Sequence, residues 1–162
     1  MSCRNPEGKV LTRAVLLERL GRPRDLRLVF TNGVFDILHR GHVAYLNEAR
    51  ELGDALVVGV NTDDSARRLG KGTDRPFNSE KDRALVLASL ECVDAVCLFD
   101  DDTPRALVAD LLPDVLVKGG DYQLPDVAGR EEVEGAGGRV VLIPFLEGYS
   151  TTDLVHRIRR EK

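Results

Sequence analysis

The chain has 162 residues, 43% hydrophobic and 31% charged, enough to bury one core of ordinary size and typical of a globular domain. A formal net charge of −4 argues against nonspecific nucleic-acid binding, and no stretch approaches the length and apolarity of a membrane span. Cys3, Cys92 and Cys97 form no CxxC pair or even disulfide set, and Ser2–Lys9 holds no signal-peptide apolar core, so buried thiols and a cytoplasmic location are expected.

In chain order, an N-terminal segment over residues 1–27 carries a short helix at Thr12–Leu20. Five runs rich in Val, Leu and Ile follow: Leu28–Thr31, Ala55–Val60, Ala95–Phe99, Val115–Lys118 and Val140–Ile143. Near-continuous apolar runs are the mark of parallel strands covered on both faces. Helical patterns fall between and after them, at Gly41–Leu52, Ser79–Leu90, Pro104–Leu112, Asp126–Ala136 and Thr152–Arg160. Thr103 before Pro104 reads as a cap with a first-turn proline, and Ser150-x-x-Asp153 as a capping box. The alternation predicts one α/β domain over residues 1–162, a doubly wound five-stranded parallel sheet in the order 3-2-1-4-5.

Candidate site residues gather where such a sheet binds ligands, beyond the carboxyl ends of its strands. Thr31-Asn32-Gly33 follow the first strand, Asn61 and Asp63 the second, Lys118-Gly119-Gly120-Asp121 the fourth, and Gly148-Tyr149-Ser150-Thr151 the fifth. His39-Arg40-Gly41-His42 is the most telling stretch. Two imidazoles at i and i+3 share one helix face at a helix start, where free N–H groups and the dipole attract anions. That is a phosphate site. Gly41 lets the backbone approach it closely, while Thr31, Asn32 and Gly33 offer hydroxyl and amide donors. Asp36 either caps the following helix or orders His39 and substrate. The basic residues Arg67, Arg68, Lys71 and Arg75 suit a small anionic ligand, Lys71 and Arg75 lying in the irregular stretch Gly70–Asn78. Asp100-Asp101-Asp102 reads as the first turn of a helix rather than a metal site.

The pattern Thr-Asn-Gly-x-Phe-Asp-x-x-His-x-Gly-His resembles the HxGH nucleotidyltransferase superfamily that includes the cytidylyltransferases. Further motifs follow in order: Gly59-Val60-Asn61-Thr62-Asp63 through Arg75-Pro76, Leu90-Glu91-x-Val93-Asp94, Val117-Lys118-Gly119-Gly120-Asp121-Tyr122 and Gly148-Tyr149-Ser150-Thr151-Thr152. Together they resemble the adenylyltransferases that make ADP-heptose and pyrophosphate from ATP and D-glycero-β-D-manno-heptose 1-phosphate. In glycerol-phosphate cytidylyltransferases an arginine stands two places before the glutamate of the last motif; here that place holds Phe145, against a CTP-using polyol-phosphate enzyme.

The resemblance implies a Rossmann-like nucleotidyltransferase without a fused kinase domain, serving lipopolysaccharide core synthesis. It implies ATP as substrate, with Mg²⁺ held mainly by its phosphates and no dedicated protein ligands, and a homo-oligomer, a dimer favoured. His39, His42 and Lys71 are then the catalytic set. Thr31, Asn32, Gly33, Phe35, Gly41, Arg83, Lys118, Gly119, Asp121, Ser150 and Thr151 contact the nucleotide, and Asp36, Asn61 and Arg75 the sugar phosphate. For Arg83 the competing reading is a surface ion pair with Glu80 or Asp82. Gly119-Gly120 would admit base or ribose, Asp121 would accept from a ribose hydroxyl or orient Lys118, and Tyr122 would pack near the base.

Overall fold

Strands form where Val, Leu and Ile run unbroken, because only a sheet covered on both sides buries every position of such a run. The computed structural model, which describes residues 5–70, 74–120 and 122–160, contains β1 (Val10–Leu11), β2 (Leu28–Gly33), β3 (Ala55–Asn61), β4 (Ala95–Phe99), β5 (Val115–Gly119) and β6 (Arg139–Ile143). All pairings are parallel and the order is β1-β4-β3-β2-β5-β6. The sheet therefore has six strands and not five. The five expected strands keep their expected order, and β1 adds an edge beside β4. Two residues carry no period, so Val10-Leu11 could not be told from a turn.

Among the described residues seven α-helices accompany it: α1 (Arg13–Leu20), α2 (Arg40–Arg50), α3 (Asp63–Arg68), α4 (Glu80–Ala88), α5 (Arg105–Leu111), α6 (Arg130–Gly135) and α7 (Thr151–Arg160). Thr12, Thr62 and Ser79 cap α1, α3 and α4 through their hydroxyl oxygens. The short polar helix α3 shows no apolar period and was not expected. The N-cap position of α5 falls to Pro104 rather than Thr103, although the Thr103 hydroxyl still accepts from the first helical N–H, that of Arg105, at 3.5 Å. The helix expected over Asp126–Ala136 is shorter, because Leu124–Asp126 forms a 3₁₀ turn and Gly129 turns the chain at φ 92°. A Cβ on Gly129 would lie 2.7 Å from a methyl of Val108, so only glycine makes this turn.

Strand residues alternate between two cores. Val29, Leu56, Val58, Val96 and Val117 pack under α2 and α4, through Leu46, Ala49, Leu87 and Ala88. Leu28, Phe30, Val57, Cys97 and Leu116 pack under α1, α5 and α6, through Leu16, Leu107, Leu111 and Val133. Each such side chain contributes about 1.5–3 kcal/mol by leaving water. Cys92 and Cys97 are buried free thiols, and burial pushes the Cys97 thiol up to about 11.

Three aspartates close the amino end of the sheet. Asp54, Asp94 and Asp114, each just before a strand, accept from N–H groups at or beside the start of the neighbouring strands: Arg27 at 2.7 Å, Leu56 at 2.8 Å and Leu28 at 2.8 Å. Arg50 braces Asp94, and Arg22 and Arg24 brace Asp114. The carboxyl ends of the strands are left to loops.

Candidate active site

His39 is the N-cap of α2 rather than a residue of its first turn. Its Nδ1 accepts from the N–H of Gly41 at 3.1 Å, and Nδ1 of His42 accepts from the N–H of His39 at 3.4 Å. This is a reciprocal capping box built from two imidazoles. The rings stack with centroids 3.9 Å apart and planes 27° from parallel. Because each Nδ1 accepts, each neutral ring carries its proton on Nε2. Burial lowers the pKa of His39 below its ordinary value, so neutrality is its state near pH 7. Phe35, held at φ 50°, meets His42 edge-on at 5.5 Å, and Tyr149 lies 6.4 Å from His39 on its other side. A Cβ on Gly41 would sit 3.0 Å from both the His39 ring and Tyr149, so the absence of a side chain there leaves room for these two to close over the helix start.

The ends of β2 and β5 meet beside this pair. Lys118 Nζ donates to Asn32 Oδ1 at 2.8 Å and stands 5.0 Å from the centre of the Tyr122 ring. Gly33 backs onto the Phe35 ring. Gly119 and Gly120 lie beneath the ring of Phe145. Ser150 caps α7 by accepting from the N–H of Asp153 at 3.1 Å, and the Thr151 hydroxyl donates to the carbonyl of Ile37 at 3.4 Å, tying α7 to the loop before His39.

Four predicted site residues are committed to the scaffold instead. Thr31 is fully buried and its hydroxyl pairs with Tyr45 at 2.6 Å, so it offers no hydroxyl to phosphate. Asp36 neither caps α2 nor reaches His39: its buried carboxylate accepts from the N–H groups of Phe77 and Asn78 at 2.9 Å. Asn61 is buried and donates to Ser65 Oγ at 2.8 Å. Arg83 is buried as well, and pairs with neither Glu80 nor Asp82. It donates to the carbonyls of Val34 (2.6 Å), Asn61 (2.8 Å) and Asn78 (3.1 Å) and to Asp63 (2.9 Å). One guanidinium thus joins the loops after β2 and β3 to the segment before α4. These polar groups lie on or packed against the carboxyl ends of β2 and β3, Arg83 reaching them from α4, where sequence cannot tell a donor facing ligand from one holding a loop.

The basic cluster also dissolves. Arg67 pairs with Asp64, and Arg68 pairs with Asp100 and Asp102, so the aspartate run ahead of α5 serves Arg68 and Thr62 rather than a helix turn. Arg75 lies over the Phe77 ring at 5.7 Å. Lys71 and Asp121 lie outside the described residues. Among the described residues no three His, Cys, Asp or Glu side chains gather as a metal site, and no helix is long and apolar enough to cross a membrane.

A stacked histidine pair at a helix start, at the carboxyl rim of a doubly wound parallel sheet, suits binding of a phosphate chain. The cytidylyltransferase-like family model matches residues 30–157, spanning all of these elements. The chain belongs to the cytidylyltransferase-like family. Among relatives of this family member, a protein of Bordetella bronchiseptica named D-beta-D-heptose 1-phosphate adenylyltransferase is 54% identical, over 99% of both chains. The bifunctional protein HldE of Citrifermentans bemidjiense is 52% identical over 96% of this chain, which spans only about a third of its length. A solved structure titled as a lipopolysaccharide core biosynthesis protein, from Thermoplasma volcanium, shares 32% identity with a TM-score of 0.63, over 77% of this chain and 99% of its own.

Sequence placed Tyr149 at the rim and read Phe145 only against a CTP-using enzyme, and gave neither a packing role in the site. Tyr149 stacks beside His39 while Arg40 lies over its ring at 5.8 Å, and Phe145 covers the double glycine. An aromatic one place before Ser150 was a usable signal for Tyr149, since the residue ahead of a helix cap often packs back on neighbouring structure.

Proposed function

We propose that this chain transfers AMP from ATP to D-glycero-β-D-manno-heptose 1-phosphate, releasing pyrophosphate and forming ADP-heptose for lipopolysaccharide core synthesis. A phosphate oxygen of the sugar attacks the α-phosphorus, and the bond from that phosphorus to the bridging oxygen of pyrophosphate breaks. The attacking oxygen is already anionic near neutral pH, so no strong base is needed. The work lies in bringing anions together and stabilising charge on the α-phosphate oxygens.

The observation that carries this reading is the His39–His42 stack at the start of α2, two rings whose Nδ1 atoms each accept a backbone N–H, which leaves Nε2 of each to carry a proton. Both are donors suited to phosphate oxygens, assisted by the helix N-terminus and by Lys118. The predicted closing of Lys71 over the pyrophosphate, and of Ser150 and Thr151 on the triphosphate through the start of α7, belongs to the same scheme. Mg²⁺ enters with ATP, held chiefly by its phosphates, as is usual for a cation that uses few protein ligands. The choice of sugar rests on the 54% identity to a relative named for heptose 1-phosphate. A cytoplasmic homodimer completes the proposal, and light scattering checks the assembly.

The test is pyrophosphate release with ATP or CTP as donor and a panel of sugar 1-phosphates as acceptors, products identified by mass. ADP-heptose as the fastest-formed product is expected. Faster turnover with CTP and a polyol phosphate would overturn the assignment.

A further inference from the structure

We propose that Phe145 is the base-stacking platform of the site, receiving the purine ring of the nucleotide; this rests on the reading that the nucleotide is ATP. Phe145 is 64% exposed, the most exposed large apolar side chain among the described residues, yet it is firmly seated. Its ring lies on Gly119, where a Cβ would come within 2.6 Å of it, and on Gly120, where the approach would be closer still. Gly120 holds φ 83°, so the backbone beneath the ring is one that only glycine adopts readily. The ring of Tyr45 meets Phe145 edge-on at 6.4 Å and 63°. Phe145 is thus backed by the Gly119-Gly120 backbone and flanked by Tyr45, while most of the residue stays exposed.

The placement suits a base. Tyr45 stands one turn of α2 beyond Gly41 and His42, so the phenyl ring lies beside the phosphate end of the site and not across the molecule from it. A heptose 1-phosphate needs partners for its hydroxyls, which a phenyl face does not supply; a nucleobase needs a flat apolar surface. Asn32 at the end of β2, held there by Lys118, supplies a polar side chain suited to a ribose. Stacking is blind to the base edge but grows with overlap, so the larger purine gains more than a pyrimidine.

Calorimetric binding of MgATP, MgCTP and inorganic tripolyphosphate to the wild type, Phe145→Leu and Phe145→Tyr tests this. Leucine fills the seat without a π face, and tyrosine keeps the face. Phe145→Leu should weaken ATP binding about tenfold, CTP less, and tripolyphosphate not at all, with Phe145→Tyr near wild type. ATP affinity within twofold of wild type in Phe145→Leu, or an equal loss for tripolyphosphate, would overturn the proposal. A second readout needs no variant: 2-aminopurine riboside triphosphate should be quenched on binding the wild type, and unquenched binding would also overturn it. A wild type that makes ADP-heptose while failing either test sinks only the stacking role; one that binds no nucleotide sinks the functional reading itself.

Discussion

His39 does two jobs that can be separated. As N-cap it satisfies the Gly41 N–H, and as one half of the stack it is proposed to meet the substrate phosphates. Asparagine is a strong N-cap, so His39→Asn should melt within a few tenths of a kcal/mol of wild type, whereas His39→Ala should lose about 1 kcal/mol, read by urea unfolding. The pH dependence follows from the lowered pKa of His39. A base whose folded pKa lies below its unfolded value binds protons more readily when unfolded, so its contribution is complete above about pH 6.5 and is lost as pH falls through the folded value. Protonation also puts a hydrogen on Nδ1 and ends its acceptance from Gly41. Unfolding free energy should therefore drop on acidification below about pH 6.5, and His39→Asn should flatten that part of the profile. The two histidines were legible because their spacing stands out. Their roles as cap and third residue were not, since an imidazole rarely caps a helix.

Arg83 and Asp36 dominate the elements around the site. Arg83 gives hydrogen bonds to three carbonyls and one carboxylate without reaching solvent, and Asp36 receives two backbone N–H groups from the segment before α4. Arg83→Lys keeps the charge but loses the planar fork and cannot meet all four acceptors. It should cost about 2–4 kcal/mol, measured by denaturant titration. Activity should fall only in step with the folded fraction; a rate loss in fully folded Arg83→Lys would restore a direct nucleotide contact. Burial explains why sequence misplaced Thr31, Asp36, Asn61 and Arg83. Polar residues around strand ends, whether on the strand, in the loop after it or on a neighbouring helix, are needed both by ligands and by the backbone groups the strands leave unpaired, and no pattern of residue types separates the two demands.

Across the whole molecule the two rims of the sheet are built oppositely. The strand runs and their order were readable because each run is apolar on both faces, and a right-handed crossover leaves few arrangements for such a series. The edge strand β1 and the helix α3 were too short to show a period. At the amino rim, Asp114 is pushed up by burial but pulled down further by the Leu28 N–H and by Arg24 and Arg22, and ends below the ordinary carboxylate range. A depressed acid contributes stability above its unfolded pKa and loses it as pH falls through the folded value. Asp114→Asn should remove part of the stability lost in acid below about pH 4 and lower stability at pH 7, while leaving ATP affinity unchanged, since the rim lies at the far end of the strands from His39.

The most direct measurement is the single-turnover rate of ADP-heptose formation from ATP and heptose 1-phosphate, comparing wild type with His39→Asn at equal folded fraction. If the stacked rings stabilise charge on the α-phosphate, the capped variant should be slower by about 10²–10³-fold with its melting unchanged. A rate within a few-fold of wild type would contradict the account.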